Sequence, residues 1–216
     1  MSTGTVQSSA VPLIQTFYFE RLIGDLRNQF AFTDTFKNIE EIRSGPGDDV
    51  IIGSNGAVER FSGGKGSDVI NGGEGYDIVN YLNEAIDPDG MNGVDVNLTT
   101  GIAKTDFGQD RLRNIETIEG SSGDDVLTGD ENYNALEGYD GNDVLDGAGG
   151  EDLVDYLAQS LYPASRGTPS AGVYVDIEAQ EATDPNGFTD TILNVERVRG
   201  GIHDDELYGH DGYNYF

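Results

Sequence analysis

Residues 120–155 read GSSGDDVLT GDENYNALE GYDGNDVLD GAGGEDLVD, four consecutive blocks of nine with no insertion. Each block begins with Gly. Its sixth place holds Asp125, Asn134, Asp143 or Asp152, and its eighth holds Leu127, Leu136, Leu145 or Val154. A polar oxygen ligand at one fixed place, with an aliphatic residue two further on, defines one loop and one short strand per block. Glycine at the first, second and fourth places permits turns closed to other residues and lets backbone carbonyls turn toward a common centre.

The same phase runs through Ser44–Ile52, an irregular ten-residue row 53–62, Gly63–Asn71 and Gly72–Asn80, and it reappears from Gly200 to the last residue. A longer repeat encloses these rows. DTFKNIEEIRSGPGDDVIIG begins at Asp34, DRLRNIETIEGSSGDDVLTG at Asp110 and DTILNVERVRGGIHDDELYG at Asp190. Ahead of the last two lie the alternations Val94-Asp95-Val96-Asn97-Leu98 and Val173-Tyr174-Val175-Asp176-Ile177, and Phe17-Tyr18-Phe19 holds that place more loosely. Closing strands follow at 77–82 and 152–157. The chain therefore divides into a flexible lead-in, residues 1–12, and a solenoid, 13–216, with units at about 17–82, 94–157 and 173–216. The apolar segment 17–36 is read as strands. Residues 83–93 and 158–172 are read as linkers, the first on the turn chemistry of Asp87-Pro88-Asp89-Gly90. The third unit stops in mid-array, as expected of a piece of a longer protein or of a coil completed by another chain.

Composition narrows the function. Of 216 residues, 36% are hydrophobic, low for a packed core, and 31 are Gly, but the glycines are in register rather than scattered. The formal net charge is −28, with 40 acidic residues against 12 basic, which argues strongly against nucleic acid or anionic membrane as partner. There is no Cys, hence no disulfide or thiolate metal site. No apolar run approaches the ~18 residues of a membrane span. The first ten residues lack the basic segment of a secretory signal.

These blocks resemble the RTX, or haemolysin-type, calcium-binding repeat. The resemblance implies an all-β fold, a right-handed parallel β-roll or β-helix solenoid built from nonapeptide calcium-binding repeats. In such a roll two nonapeptides complete one coil, so each loop stacks on the second loop after it. Stacked strands lie ~4.8 Å apart and calcium takes six to eight oxygens at ~2.4 Å, so two stacked carboxylates can share one Ca2+, with loop carbonyls completing its shell. The expected pairs are Asp49 with Asp68, Glu59 with Asp77, Asp125 with Asp143 and Asn134 with Asp152. Asp205 begins another whose partner row lies beyond the chain. The glycines that supply the loops are Gly45, Gly47, Gly64, Gly66, Gly73, Gly75, Gly123, Gly141 and Gly150. The expected count is ~4 to 6 ions. Glu40, Glu116 and Glu196 fall nine places before Asp49, Asp125 and Asp205. They read as a degenerate row that brings Glu116 toward the Asn134 site, or equally as glutamates on a solvated coil edge.

Two carboxylates ~5 Å apart repel by ~0.8 kcal/mol in water and ~3 kcal/mol at an effective dielectric of 20. A ladder of such pairs on a chain with little core calls for a cation, and folding is expected to couple to calcium. The resemblance further implies a module of a secreted bacterial protein, exported by type I secretion and folding outside the cell. An adhesin or polysaccharide-binding module is the alternative, with Tyr133, Tyr139, Tyr208, Tyr213 and Tyr215 as a sugar platform and neighbouring RTX units as further partners. Catalysis is not expected. The chain has no Gly-x-Ser-x-Gly elbow and no His-Glu-x-x-His helix. Its paired carboxylates are better explained as metal ligands than as a glycosidase pair. His203 and His210 read as surface loop residues, and Gly63-Gly64-Lys65-Gly66-Ser67 fits a calcium row better than a phosphate loop.

Overall fold

The computed structural model describes residues 17–18, 39–82, 92–157, 159, 171–212 and 214–216. The lead-in, both linkers apart from a few end residues, most of the segment 17–36, Asp34 and Tyr213 lie outside them. Strands β1 (Phe17–Tyr18), β2 (Glu41–Arg43), β3 (Val50–Ile52), β4 (Asn55–Ala57), β5 (Arg60–Ser62), β6 (Val69–Asn71), β7 (Glu74–Gly75) and β8 (Ile78–Asn80) come first. Next are β9 (Asn92–Asn97), β10 (Ile102–Thr105), β11 (Gly108–Arg113), β12 (Thr117–Glu119), β13 (Asp124–Thr128), β14 (Ala135–Glu137), β15 (Val144–Asp146) and β16 (Leu153–Asp155). The last are β17 (Tyr174–Asp176), β18 (Glu181–Thr183), β19 (Thr189–Leu193), β20 (Arg197–Arg199) and β21 (Glu206–Tyr208).

The chain winds as a parallel β-roll. One sheet has the order β1-β2-β5-β8-β12-β14-β16-β20 and every pairing in it is parallel. The opposite sheet runs β21-β17-β18-β19-β15-β13-β9-β10-β11-β6-β3. Successive nonapeptides feed the two sheets in turn, so rows two apart are neighbours: Val126, Leu127 and Thr128 pair with Val144, Leu145 and Asp146.

The second sheet departs from a purely parallel roll at two places. At β9-β10-β11 and again at β17-β18-β19 the chain makes an antiparallel meander. The outer strands of the first meander dock in parallel on β13 and β6. Those of the second dock on β21 and β15. The sequence reading took Val94–Leu98 and Val173–Ile177 as lone strands. Their antiparallel continuations are short and interrupted by charge, which hides the alternation.

The eighth residue of each block forms the core, in single file. Ile42, Phe61, Val79, Ile118, Leu136, Val154 and Val198 line one sheet. Ile51, Ile70, Leu112, Val96, Leu127, Leu145 and Ile192 line the other. Each buried aliphatic contributes about 1.5–3 kcal/mol. Leu136 is fully buried at the middle of its file. Leu136→Ala is therefore expected to cost about 2–5 kcal/mol, read as a lower denaturant midpoint of the calcium-loaded protein.

The outer face of the all-parallel sheet is itself covered along β12, β14 and β16. Thr117, Glu119, Ala135, Leu153 and Asp155 are buried there, Glu119 pairs with Arg60, and burial pushes Glu137 up to about 8. The outer face of the second sheet leaves Val50, Ile52, Val126, Tyr174 and Tyr208 exposed.

Candidate metal sites

The sixth residue of each block sits where a glycine loop enters a strand, and its side chain turns inward under the loop. All four expected pairs meet. The Asp49 N–H donates to Asp68 Oδ1 at 2.8 Å and the Glu59 N–H to Asp77 Oδ1 at 3.0 Å. The Asp125 N–H donates to Asp143 Oδ1 at 2.9 Å and the Asn134 N–H to Asp152 Oδ1 at 2.7 Å. Each row thus passes its backbone hydrogen to the carboxylate of the row stacked on it, which fixes one oxygen of every second carboxylate.

The other oxygen decides the chemistry. Oδ2 of Asp68, Asp77, Asp143 and Asp152 is buried and accepts no hydrogen bond. Leaving a buried acceptor unmade costs about 1–3 kcal/mol, and more when it is charged. One such oxygen occurs in each of the four pairs. Burial accordingly raises these carboxyls from their ordinary value of 3.8: Asp68 and Asp152 to about 7, with Asp77 moving the same way. Asp125 and Asp143 are also raised, by burial first. An anionic oxygen aimed into a closed loop, unpaired and desolvated, is the environment that a bound cation relieves.

The loops fit that role. A Cβ on Gly63, Gly72, Gly138 or Gly147 would collide with the carboxylate of its own block, so only glycine leaves the pocket beside Oδ2 open. At the fourth place Gly47, Gly66, Gly75, Gly141 and Gly150 adopt φ between 124° and 155°, which L side chains rarely enter. There the carbonyls of Gly47, Gly123 and Asn132 approach Gly66, Gly141 and Gly150 of the next stacked loop. Gly64 and Gly73 hold positive φ at the second place, against the Gly45 and Ser54 carbonyls. Tyr139 and Ala148 take the same left-handed turn at φ 68° and 67° without being glycine. Among the described residues no three His, Cys, Asp or Glu side chains converge on one point. The further donors must be backbone carbonyls, hard oxygen ligands of the kind that calcium accepts. Gly141→Ala, strained at φ and blocked by the Gly123 carbonyl, is expected to cost about 1–3 kcal/mol, measurable as a higher calcium midpoint of folding.

The irregular row 53–62 keeps its place. Its extra residue is matched by the longer Glu59 side chain, whose Oε2 accepts the Ser54 N–H at 2.6 Å. Asp125 differs from the four: Ser121 N–H satisfies its Oδ2, and Val94 N–H and the Ser121 hydroxyl satisfy its Oδ1. Asp205 is half-buried and accepts the Val173 N–H at 2.8 Å. Glu116 and Glu196 do join the ladder. Their carboxylates accept the Asp77 and Asp152 N–H at 2.7 and 3.0 Å, and the pairing of Thr117 with Ala135 sets Glu116 level with Asn134 on the next strand.

Two ladder members escaped the sequence reading. Asp110 and Asp190 accept the N–H of Asp68 and Asp143 at 2.8 and 3.0 Å. They lie outside the nonapeptide phase, although both head the longer repeat. Tyr139 is buried and joins no platform. Lys65 sits over the Phe107 ring at 4.1 Å. His203 and His210 are exposed, and His210 Nδ1 accepts the Gly212 N–H.

A family model described as the RTX calcium-binding nonapeptide repeat matches in four copies, at residues 38–57, 58–81, 114–132 and 119–154. A comparison with curated proteins gives no match.

Proposed function

We propose, on the premise that residues 38–81 and 114–154 match the RTX calcium-binding nonapeptide repeat, that calcium switches the folding of this chain and does so outside a bacterial cell. The repeat is a structural calcium-binding module, and Ca2+ is its ion. The finer reading is a secreted module that travels unfolded through a type I channel where calcium is scarce and closes its roll at the ~10⁻⁴ to 10⁻³ M calcium to which extracellular modules respond. The observation that carries it is that each of the four stacked pairs holds one buried carboxylate oxygen with no partner. Ca2+ would be held by Asp68, Asp77, Asp143 and Asp152, with Asp49, Glu59, Asp125 and Asn134 in the preceding rows and glycine-loop carbonyls around them. Units at about 17–82, 94–157 and 173–216 are the proposed folding blocks.

Circular dichroism with and without calcium tests the switch. The β signal should appear on titration into the millimolar range and vanish with chelator. A spectrum indifferent to calcium would rule it out.

A second reading, attachment to a polysaccharide, draws on Tyr174 and Tyr208. Their rings lie 5.7 Å apart, tilted, on the exposed face of β17 and β21. Such rings stack on sugar faces. Binding to immobilised glycans in calcium, lost in Tyr208→Ala with folding intact, would support attachment, and no binding to any glycan would exclude it. Among the described residues no helix is long and apolar enough to cross a membrane.

A further inference from the structure

Asp110 and Asp190 belong to the ladder but are finished differently from its other carboxylates. Each faces the interior, 1% exposed. Each gives Oδ1 to the N–H of the preceding ladder aspartate, as the block aspartates do. Yet Oδ2 is not left unpaired. Tyr81 Oη donates to Asp110 Oδ2 at 3.1 Å, and Tyr156 Oη donates to Asp190 Oδ2 at 2.8 Å. Both rings are buried.

The surroundings repeat as well. The cross-strand neighbour of Asp110 is Ala103 and that of Asp190 is Ala182, both fully buried. A small residue at that place leaves room for a ring. Tyr81 and Tyr156 follow the closing strands β8 and β16, and their N–H groups donate to the Glu119 and Arg199 carbonyls at 2.9 Å. Neither aspartate belongs to a nine-residue block. The chain reaches Asp110 through the β10–β11 turn, where Gly108 lies against the Gly66 carbonyl, and reaches Asp190 through the turn at 184–188; what sets both apart is the phenol hydroxyl on Oδ2.

We propose that Tyr81 and Tyr156 are hydroxyl plugs: at the two junctions between nonapeptide blocks, each phenol takes the place beside Oδ2 that calcium takes elsewhere. Asp110 and Asp190 are then metal-free end posts of the ladder. The plug needs no ion, so on the side of the meanders each junction is a fixed divider between groups of calcium sites, while on the other side the ladder runs on through Glu116 and Glu196. This rests on the calcium-binding reading of the ladder.

The test is the number of calcium ions per chain after equilibrium dialysis in saturating calcium, read by inductively coupled plasma mass spectrometry. Asp110→Asn and Asp190→Asn, which keep the side-chain shape, should retain the wild-type count. Asp143→Asn should lose at least one ion. Tyr156→Phe should keep the count but lower the folding constant about tenfold, because a buried carboxylate loses a charge-assisted hydrogen bond. A calcium ion lost in either Asp110→Asn or Asp190→Asn would overturn the proposal. So would a Tyr156→Phe protein as stable as wild type, and this variant decides should an Asn variant fail to fold. A wild-type count of zero would instead remove the calcium reading itself, before any variant is compared.

Discussion

Chelating calcium at about pH 7.5 is expected to abolish the β-sheet circular dichroism of the whole roll, and restoring millimolar calcium should bring it back. The size of the effect follows from linkage. A site filled to a hundred times its dissociation constant stabilises the fold by about 2.7 kcal/mol, and four independent sites by about 11 kcal/mol. Domains are stable by only about 5–15 kcal/mol, and this one has a core one residue deep in each sheet. Losing the ions also leaves the buried Oδ2 atoms of Asp68, Asp77, Asp143 and Asp152 unpaired, so the chain loses a stabilising term and gains a destabilising one together. Sodium in place of calcium should not rescue it. Ionic strength screens exposed charges, whereas these oxygens are enclosed.

Acid should partly replace calcium. Burial holds Asp68, Asp152 and Asp190 at about 7 in the metal-free fold, and raises Asp77, Asp110 and Glu116 as well. In the unfolded chain such groups titrate near 4. Below about pH 4 both states are protonated, and the metal-free roll carries no ionisation penalty. Between about pH 4 and 7 the unfolded chain releases protons that the fold must keep, so metal-free stability falls as pH rises and is lowest above 7. The calcium-loaded protein should slope the other way, because protons compete with the ion for the same oxygens. Circular dichroism in chelator should therefore show β structure gained on going from about pH 7.5 to 4.5, while the calcium midpoint climbs over the same range. A chelated protein that stays unfolded throughout, or folds equally at both ends, would contradict the burial of these carboxyls. At about pH 7.5, about 0.5 M NaCl should not reproduce the acid effect. If it did, the net charge of −28 rather than the ladder would be what keeps the chain apart.

Much of this was legible in the chain because a nine-residue period fixes two things at once. It places Leu127, Leu136, Leu145 and Val154 inward, and it puts one polar ligand at the same place in every loop. With two rows per coil supplied by the resemblance, the pairs Asp49–Asp68, Glu59–Asp77, Asp125–Asp143 and Asn134–Asp152 follow from counting, and the backbone hydrogen bonds between them show the register. The meanders did not follow from counting. β10 and β18 carry Lys104 and Glu181 outward and only Ala103 and Ala182 inward, a pattern too weak in apolar residues to read as a strand. Asp110 and Asp190 were visible as repeat markers but not as ladder members, since their place depends on the antiparallel return that brings them beside Asp68 and Asp143. The burial of Glu119 and Asp155 was hidden for another reason. In a bare roll the ninth residue faces water, whereas here Glu119 meets Arg60 and Asn80 and Asp155 meets Arg199 from stacked rows.

A crystal structure grown in millimolar calcium tests the account most directly. It should show metal ions at ~2.4 Å from Oδ2 of Asp68, Asp77, Asp143 and Asp152, with glycine-loop carbonyls completing each shell. Ordered loops in that calcium, with those four oxygens still bare or bonded only to protein hydrogens, would contradict it.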